Sequence, residues 1–109
     1  MGEKIMKNLL IDEPPILVSP TLATLIGLNE AIFLLQLNNS KNEWIEKDGF
    51  KWVNRSYQEW HENIFPFWSI ETIRRIISKL EQGKLLISTQ FDSMDRKKLY
   101  RINYEAFEY

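Results

Sequence analysis

Between Phe65 and Ser88 a turn, a capped amphipathic helix, a helix stop and a strand follow one another without a gap. Pro66 ends the helix before it, because its ring crowds the preceding turn and it has no backbone N–H to donate. Ser69 is placed to cap a new helix, in which Ile70, Ile73, Ile76, Ile77 and Leu80 recur at the spacing of one buried stripe. Gly83 suits the left-handed position just past a helix end, and Leu85 to Phe91 is rich in strand formers. A helix held this tightly between a turn and a strand must lay its isoleucines on a core and turn its other face outward.

That outer face carries the chemistry. At about 100° per residue the inward stripe leaves Glu71, Arg75, Ser78 and Gln82 opposite it, with Thr72 and Lys79 on one flank and Arg74 on the other. Thr72, Arg75 and Lys79 form a ridge. Two arginines, a lysine and short polar residues at the start of a helix are suited to nucleic acid, where residues near the helix N-terminus approach base edges and longer cations reach phosphates. Ser69, Thr72 and Arg75 are the natural first contacts, and Arg74 is a phosphate contact or an ion-pair partner. An amphipathic surface helix of any function also turns Arg and Lys outward, so the helix alone does not decide the matter.

The flanking segments supply context. Residues 1–20 read as an extended arm, with Pro14-Pro15 excluding helix and Ile16-Leu17-Val18 available to dock. From Thr21 the pattern turns helical, with Leu22, Leu25 and Ile26 on one face. After Gly27, Asn29 can cap a second stretch containing Ile32, Phe33, Leu34, Leu35 and Leu37, apolar on most sides and hence central. Asp48-Gly49 predicts a β-hairpin within Trp44 to Val53. Ser56 with Glu59 forms a capping-box pattern opening a helix whose apolar face is Tyr57, Trp60 and Ile64. At the end, Leu85 to Phe91 and Leu99 to Tyr104 flank the turn cluster Asp92-Ser93-Met94-Asp95, a second hairpin with a basic flank. The order helix, strand, helix, turn, helix, strand, loop, strand is that of an α+β winged helix-turn-helix. It predicts a three-helix core, a C-terminal β-hairpin wing and an additional β-hairpin before the second core helix, as one domain over residues 21–109.

Charge bounds the function. The formal net charge is −1, too little for binding duplex DNA by bulk electrostatics. The charge is uneven. Through Glu71 the chain has six Lys and Arg against ten acids, whereas Thr72 to Arg101 has eight against three. The basic surface therefore belongs to the C-terminal third, where Lys84 lies at the base of the wing, Arg96, Lys97 and Lys98 just past its tip, and Arg101 on the returning strand. A wing beside such a helix touches phosphates or the minor groove, although lysines also guard edge strands against aggregation.

Enzyme readings fail on inventory. His61 is the single histidine and there is no cysteine, glycine-rich phosphate loop, metal-ligand cluster or nucleophile elbow. The acid pairs Glu43 with Glu46 and Asp92 with Asp95 could hold a divalent ion, but each lies in an expected turn or hairpin flank and reads as solvated. No cofactor, metal or small-molecule ligand is expected, and neither a membrane span nor a signal peptide is evident, which points to the cytoplasm. Of the fourteen aromatic residues, most are expected in the core. Stacking of Trp44, Trp52, Trp60, Trp68, Phe65, Phe67, Tyr57 or Tyr100 on unpaired bases is the alternative, and Trp44, Phe50 and Trp52 on the first hairpin are the best candidates for docking a protein instead.

Five blocks in order are more specific. They are Leu9-Leu10-Ile11-Asp12-Glu13-Pro14-Pro15, Ile26-Gly27-Leu28-Asn29-Glu30-Ala31-Ile32, Asp48-Gly49-Phe50-Lys51-Trp52-Val53, Phe65-Pro66-Phe67-Trp68-Ser69 with Thr72-Ile73-Arg74-Arg75, and Asp95-Arg96 with Tyr100-Arg101-Ile102-Asn103-Tyr104. Together they resemble the N-terminal winged-helix domain of replication proteins from Gram-positive phages and mobile elements, the replisome organisers and DnaD-like primosome components. The resemblance implies non-catalytic binding of duplex or single-stranded DNA at the start of replication. Relatives continue past this domain into a region that engages a helicase or its loader, so the expected role is that of an accessory or initiation factor. The competing expectations are a module that docks a primase, polymerase or helicase through its hairpin aromatics with little DNA affinity, and a transcriptional regulator, which requires a dimer to meet two half-sites.

Overall fold

The structure, a computed structural model, describes residues 15–90 and 97–107. Of the expected arm, residues 1–14 lie outside that range, and Pro15 to Ser19 is in no helix or strand and is mostly exposed. Helix α1 (Pro20–Ile26) starts one residue earlier than the pattern predicts. The Ser19 hydroxyl accepts the Leu22 N–H at 3.3 Å, and Pro20 occupies the first helical position, where its missing N–H costs nothing. Leu25 does not share an inward face with Leu22 and Ile26: it is 73% exposed.

Helix α2 (Leu28–Asn38) is central, as its composition predicts, with Ala31, Phe33, Leu34 and Leu37 buried. Its N-cap is Gly27 and not Asn29. With φ at 109° Gly27 turns the chain sharply between two helices, and no side chain caps the new N-terminus. Glu30, in the first turn, is buried beside it. Strands β1 (Ile45–Lys47) and β2 (Phe50–Arg55) form the expected hairpin, and Asp48 and Gly49 both adopt positive φ.

The capping box is present at Ser56. Its hydroxyl accepts the Glu59 N–H at 3.1 Å, and its own N–H donates to Glu59 Oε1 at 3.1 Å. The helix it opens, α3 (Tyr57–Glu59), makes only one regular turn before widening into a π turn over Trp60–Ile64, closed by the Phe65 N–H on the Trp60 carbonyl at 2.8 Å. This departs from the regular helix predicted here. In a regular helix residues five apart diverge around the axis; the wider turn brings Trp60 and Phe65 to the same side, and both are fully buried.

Helix α4 (Ile70–Gln82) buries Ile73, Ile76, Ile77 and Leu80, with Ile70 half-buried. Its end differs from expectation. Gly83 lies in the ordinary right-handed region (φ −79°), and the left-handed residue is Lys84, at φ 61°. Bonds from the Leu85 N–H to the Leu80 carbonyl and from the Lys84 N–H to the Glu81 carbonyl, each 3.0 Å, close a Schellman motif with lysine in the place glycine usually takes.

Strands β3 (Leu86–Gln90) and β4 (Lys98–Ile102) pair antiparallel from Leu86 opposite Ile102 to Gln90 opposite Lys98. The segment between them that was read as a turn, with Phe91 and Arg96, lies outside the described residues. Strand β4 also pairs with β2, Val53 opposite Tyr100, so the two expected hairpins form one antiparallel sheet in the order β1-β2-β4-β3. The result is an α+β fold with helices packed on this sheet. A 3₁₀ turn, Tyr104–Phe107, follows β4. No helix among the described residues is long and apolar enough to cross a membrane.

Aromatic rings join the layers. Phe33 lies 4.9 Å from Trp60 and 5.5 Å from Phe65 between centroids, and Tyr100 lies 5.7 Å from Trp60. Burial, then Tyr57 and Glu81, push the Tyr100 phenol well above its usual range. Trp60, Phe65 and Tyr100 are thus core residues and present no face to a nucleic-acid base.

Candidate nucleic-acid interface

The outer face of α4 begins at its cap. The Ser69 hydroxyl accepts the Thr72 N–H at 3.1 Å and bonds the Thr72 hydroxyl at 3.0 Å. Both side chains therefore hold the helix start in shape, and Thr72 is half-buried. Arg75 is exposed and makes no hydrogen bond or ion pair among the described residues. Arg74 turns toward α3, its guanidinium 5.3 Å from the Tyr57 ring centroid and 3.5 Å from Glu71, so it is the ion-pair partner that the helix projection allowed.

Lys79 behaves differently from a free ridge residue. Its ammonium lies 2.6 Å from Glu30 Oε1 on α2, across 49 residues of sequence. The Glu30 side chain is 10% exposed and that of Lys79 64%, so a sheltered carboxylate holds an accessible cation. Gly27 makes room for it: a Cβ at that position would lie 3.0 Å from Glu30 Oε1. Thr72, Arg75 and Lys79 thereby form one wall of a cleft of about 300 Å³, with Asn29 and Glu30 opposite and Ile76 between them.

The second hairpin supplies fewer free cations than its sequence suggests. Lys84 is exposed in its left-handed turn, where its carbonyl accepts the Asn103 side-chain amide at 2.8 Å. Lys97 lies 3.3 Å from Glu59. Partial burial pushes the Glu59 carboxyl up, but the Ser56 N–H, Lys97 and the Ser56 hydroxyl together bring it below the usual carboxylate range. Lys98 stands on β4 opposite Arg55 and Gln90, half-buried and without an ion pair among the described residues. Arg96 lies outside those residues. Glu81, facing the hairpin, accepts the Ser88 hydroxyl.

The docking patch expected of the first hairpin is not assembled. Trp44 is half-buried against the core, and Trp52 is buried with its indole N–H donating to the Lys47 carbonyl at 3.0 Å. Only Phe50 is exposed, at 44%. The cause is the pairing of β2 with β4, which sets the Arg101 guanidinium 3.8 Å from the Phe50 ring centroid and 5.2 Å from that of Trp52. Arg101, read as part of the basic flank, thus lies over aromatic rings. A different aromatic is exposed: Phe67, in the turn before α4, at 56%.

His61 Nδ1 lies 2.7 Å from the Trp68 carbonyl and ties the π turn to the aromatic turn that follows it. Glu43 is paired with Arg55, which is itself buried beneath the Trp60 ring at 5.0 Å. Among the described residues no group of His, Asp and Glu is arranged to hold a metal ion. Sequence reasoning missed the two acids that matter most here, Glu30 and Glu59, because their basic partners lie far along the chain. Gly27 three residues before Glu30 was the available signal for the first, and the capping box for the second. No protein-family model, curated protein or solved structure matches the chain.

Proposed function

We propose that this chain is a winged-helix domain that binds DNA without catalysis, with α4 as the contacting helix and β3 and β4 as the wing. The observation that carries the reading is Arg75, an exposed guanidinium without a partner among the described residues, on a helix whose start is capped by Ser69 and which runs directly into the β3–β4 hairpin. Lys84 and Lys98 supply further cations on that hairpin. A role in replication of a phage or mobile element rests on the resemblance of the five sequence blocks.

Four cations of this region or its neighbours are already paired with acids, Arg74, Lys79, Lys97 and Arg55, and this favours modest affinity. The same observation supports the second reading, a module that docks a replication enzyme and touches DNA weakly. Binding of labelled duplex and single-stranded DNA across a salt series, with wild type and an Arg75→Ala, Lys98→Ala variant, separates the two. Loss of affinity and a slope of log K against log salt flatter by about two units is expected for DNA contact. A flat slope in the wild type would instead favour docking.

A further inference from the structure

We infer that Glu30 is a specificity-determining residue of the α4 surface: it neutralises Lys79 and so suppresses phosphate contact at the cleft, leaving Arg75 as its free cation. The inference rests on the DNA-binding reading. Glu30 is not a solvated acid that happens to lie near a lysine. It is nine-tenths buried, sits in the first turn of α2 where the helix dipole favours a negative charge, and occupies space that Gly27 alone leaves open. Its position is therefore set by the turn between α1 and α2 as well as by Lys79. A phosphate approaching the exposed ammonium of Lys79 must lie beside a fixed carboxylate only 2.6 Å from that cation. Arg75, on the same wall of the cleft, has no such ion-pair partner among the described residues.

Such an arrangement weakens sequence-independent binding, which is driven by phosphate neutralisation, more than contact with base edges. A negative charge at this point repels backbone phosphates.

The test is a charge cycle at the pair, read by duplex binding across a salt series with Arg75→Ala as the control for DNA contact. Glu30→Gln should raise affinity for random-sequence duplex about eightfold at about 0.1 M salt and steepen the salt slope by about one, the effect of one added phosphate contact. Lys79→Ala should lower affinity, because it uncovers the carboxylate. The double variant, which restores neutrality, should return to wild-type affinity and slope. Should Glu30→Gln alone fold poorly, as circular dichroism would reveal, the double variant decides: wild-type affinity supports the inference, and a loss equal to that of Lys79→Ala overturns it. Unchanged binding by folded Glu30→Gln, in a wild type whose binding Arg75→Ala diminishes, overturns the inference and leaves the DNA-binding reading standing. Absence of binding by both wild type and Glu30→Gln would reject both.

Discussion

Replacing Gly83 by alanine should stabilise this protein, although a glycine directly after a helix ordinarily marks a position that alanine cannot occupy. The backbone there has φ −79° and ψ 0°, a conformation open to any residue. A Cβ would meet the Lys79 carbonyl at 3.5 Å, the Leu80 carbonyl at 3.8 Å and Leu85 Cγ at 4.0 Å, all ordinary contacts. With no strain in the folded state, the smaller freedom of the unfolded chain dominates, and a gain of about 0.4–1 kcal/mol is expected. Lys84 presents the opposite case. At φ 61° a side chain costs roughly 1–2 kcal/mol, part of which Lys84→Gly recovers once the greater freedom of unfolded glycine is deducted. The Asn103 bond to the residue 84 carbonyl is unaffected by that change. The double variant, with the glycine moved one position along, should gain roughly 1–2 kcal/mol, or several degrees in Tm for a domain of this size. Urea denaturation followed by far-ultraviolet circular dichroism, with m unchanged, measures it. A Gly83→Ala variant destabilised by about 1 kcal/mol or more, with Lys84→Gly neutral, would put the left-handed residue back at 83 and refute the reasoning.

Three further outcomes are expected. Gly27→Ala should lose roughly 1–2 kcal/mol in thermal melts, since φ is 109° and the new Cβ would push the Glu30 carboxylate from its place. Trp60→Ala removes a fully buried ring that meets Phe33, Phe65 and Tyr100, and a loss of about 3–5 kcal/mol should leave the domain largely unfolded by near-ultraviolet circular dichroism. Glu59 has a carboxyl lowered in the folded state, so its contribution is present above the ordinary carboxylate range and is lost as pH falls through the folded value. The stability difference between wild type and Glu59→Gln should therefore be largest near neutrality and shrink on acidification; a difference constant with pH would reject the role given to the Ser56 and Lys97 contacts.

Much of the fold was legible because its signals are local. Ser69 and the capping box at Ser56 act within three residues, Asp48-Gly49 within two, and the isoleucine stripe of α4 repeats within a helical turn. The misreadings arose where distant parts compete for the same position. Asn29 is a good cap by composition, but the turn between α1 and α2 falls at Gly27 and leaves Asn29 inside the helix. The helix opened at Ser56 widens after one turn because Trp60 and Phe65 must both reach Phe33. Trp52 looked available for a partner until β4 was laid against β2 and Arg101 came to lie over it.

The sequence by itself determined the elements, their order and the side of α4 that faces outward, since periodicity, caps and turns depend on residues a few positions apart. Tertiary structure alone decided which outward cations are free. Lys79, Lys97 and Arg101 look alike along the chain, yet one is held by Glu30, one lies beside Glu59 and one covers two aromatic rings. An ion pair forms between groups that packing brings within a few ångströms, whatever their separation along the chain. Among the described residues, packing brings an acid to Lys79 and none to Arg75.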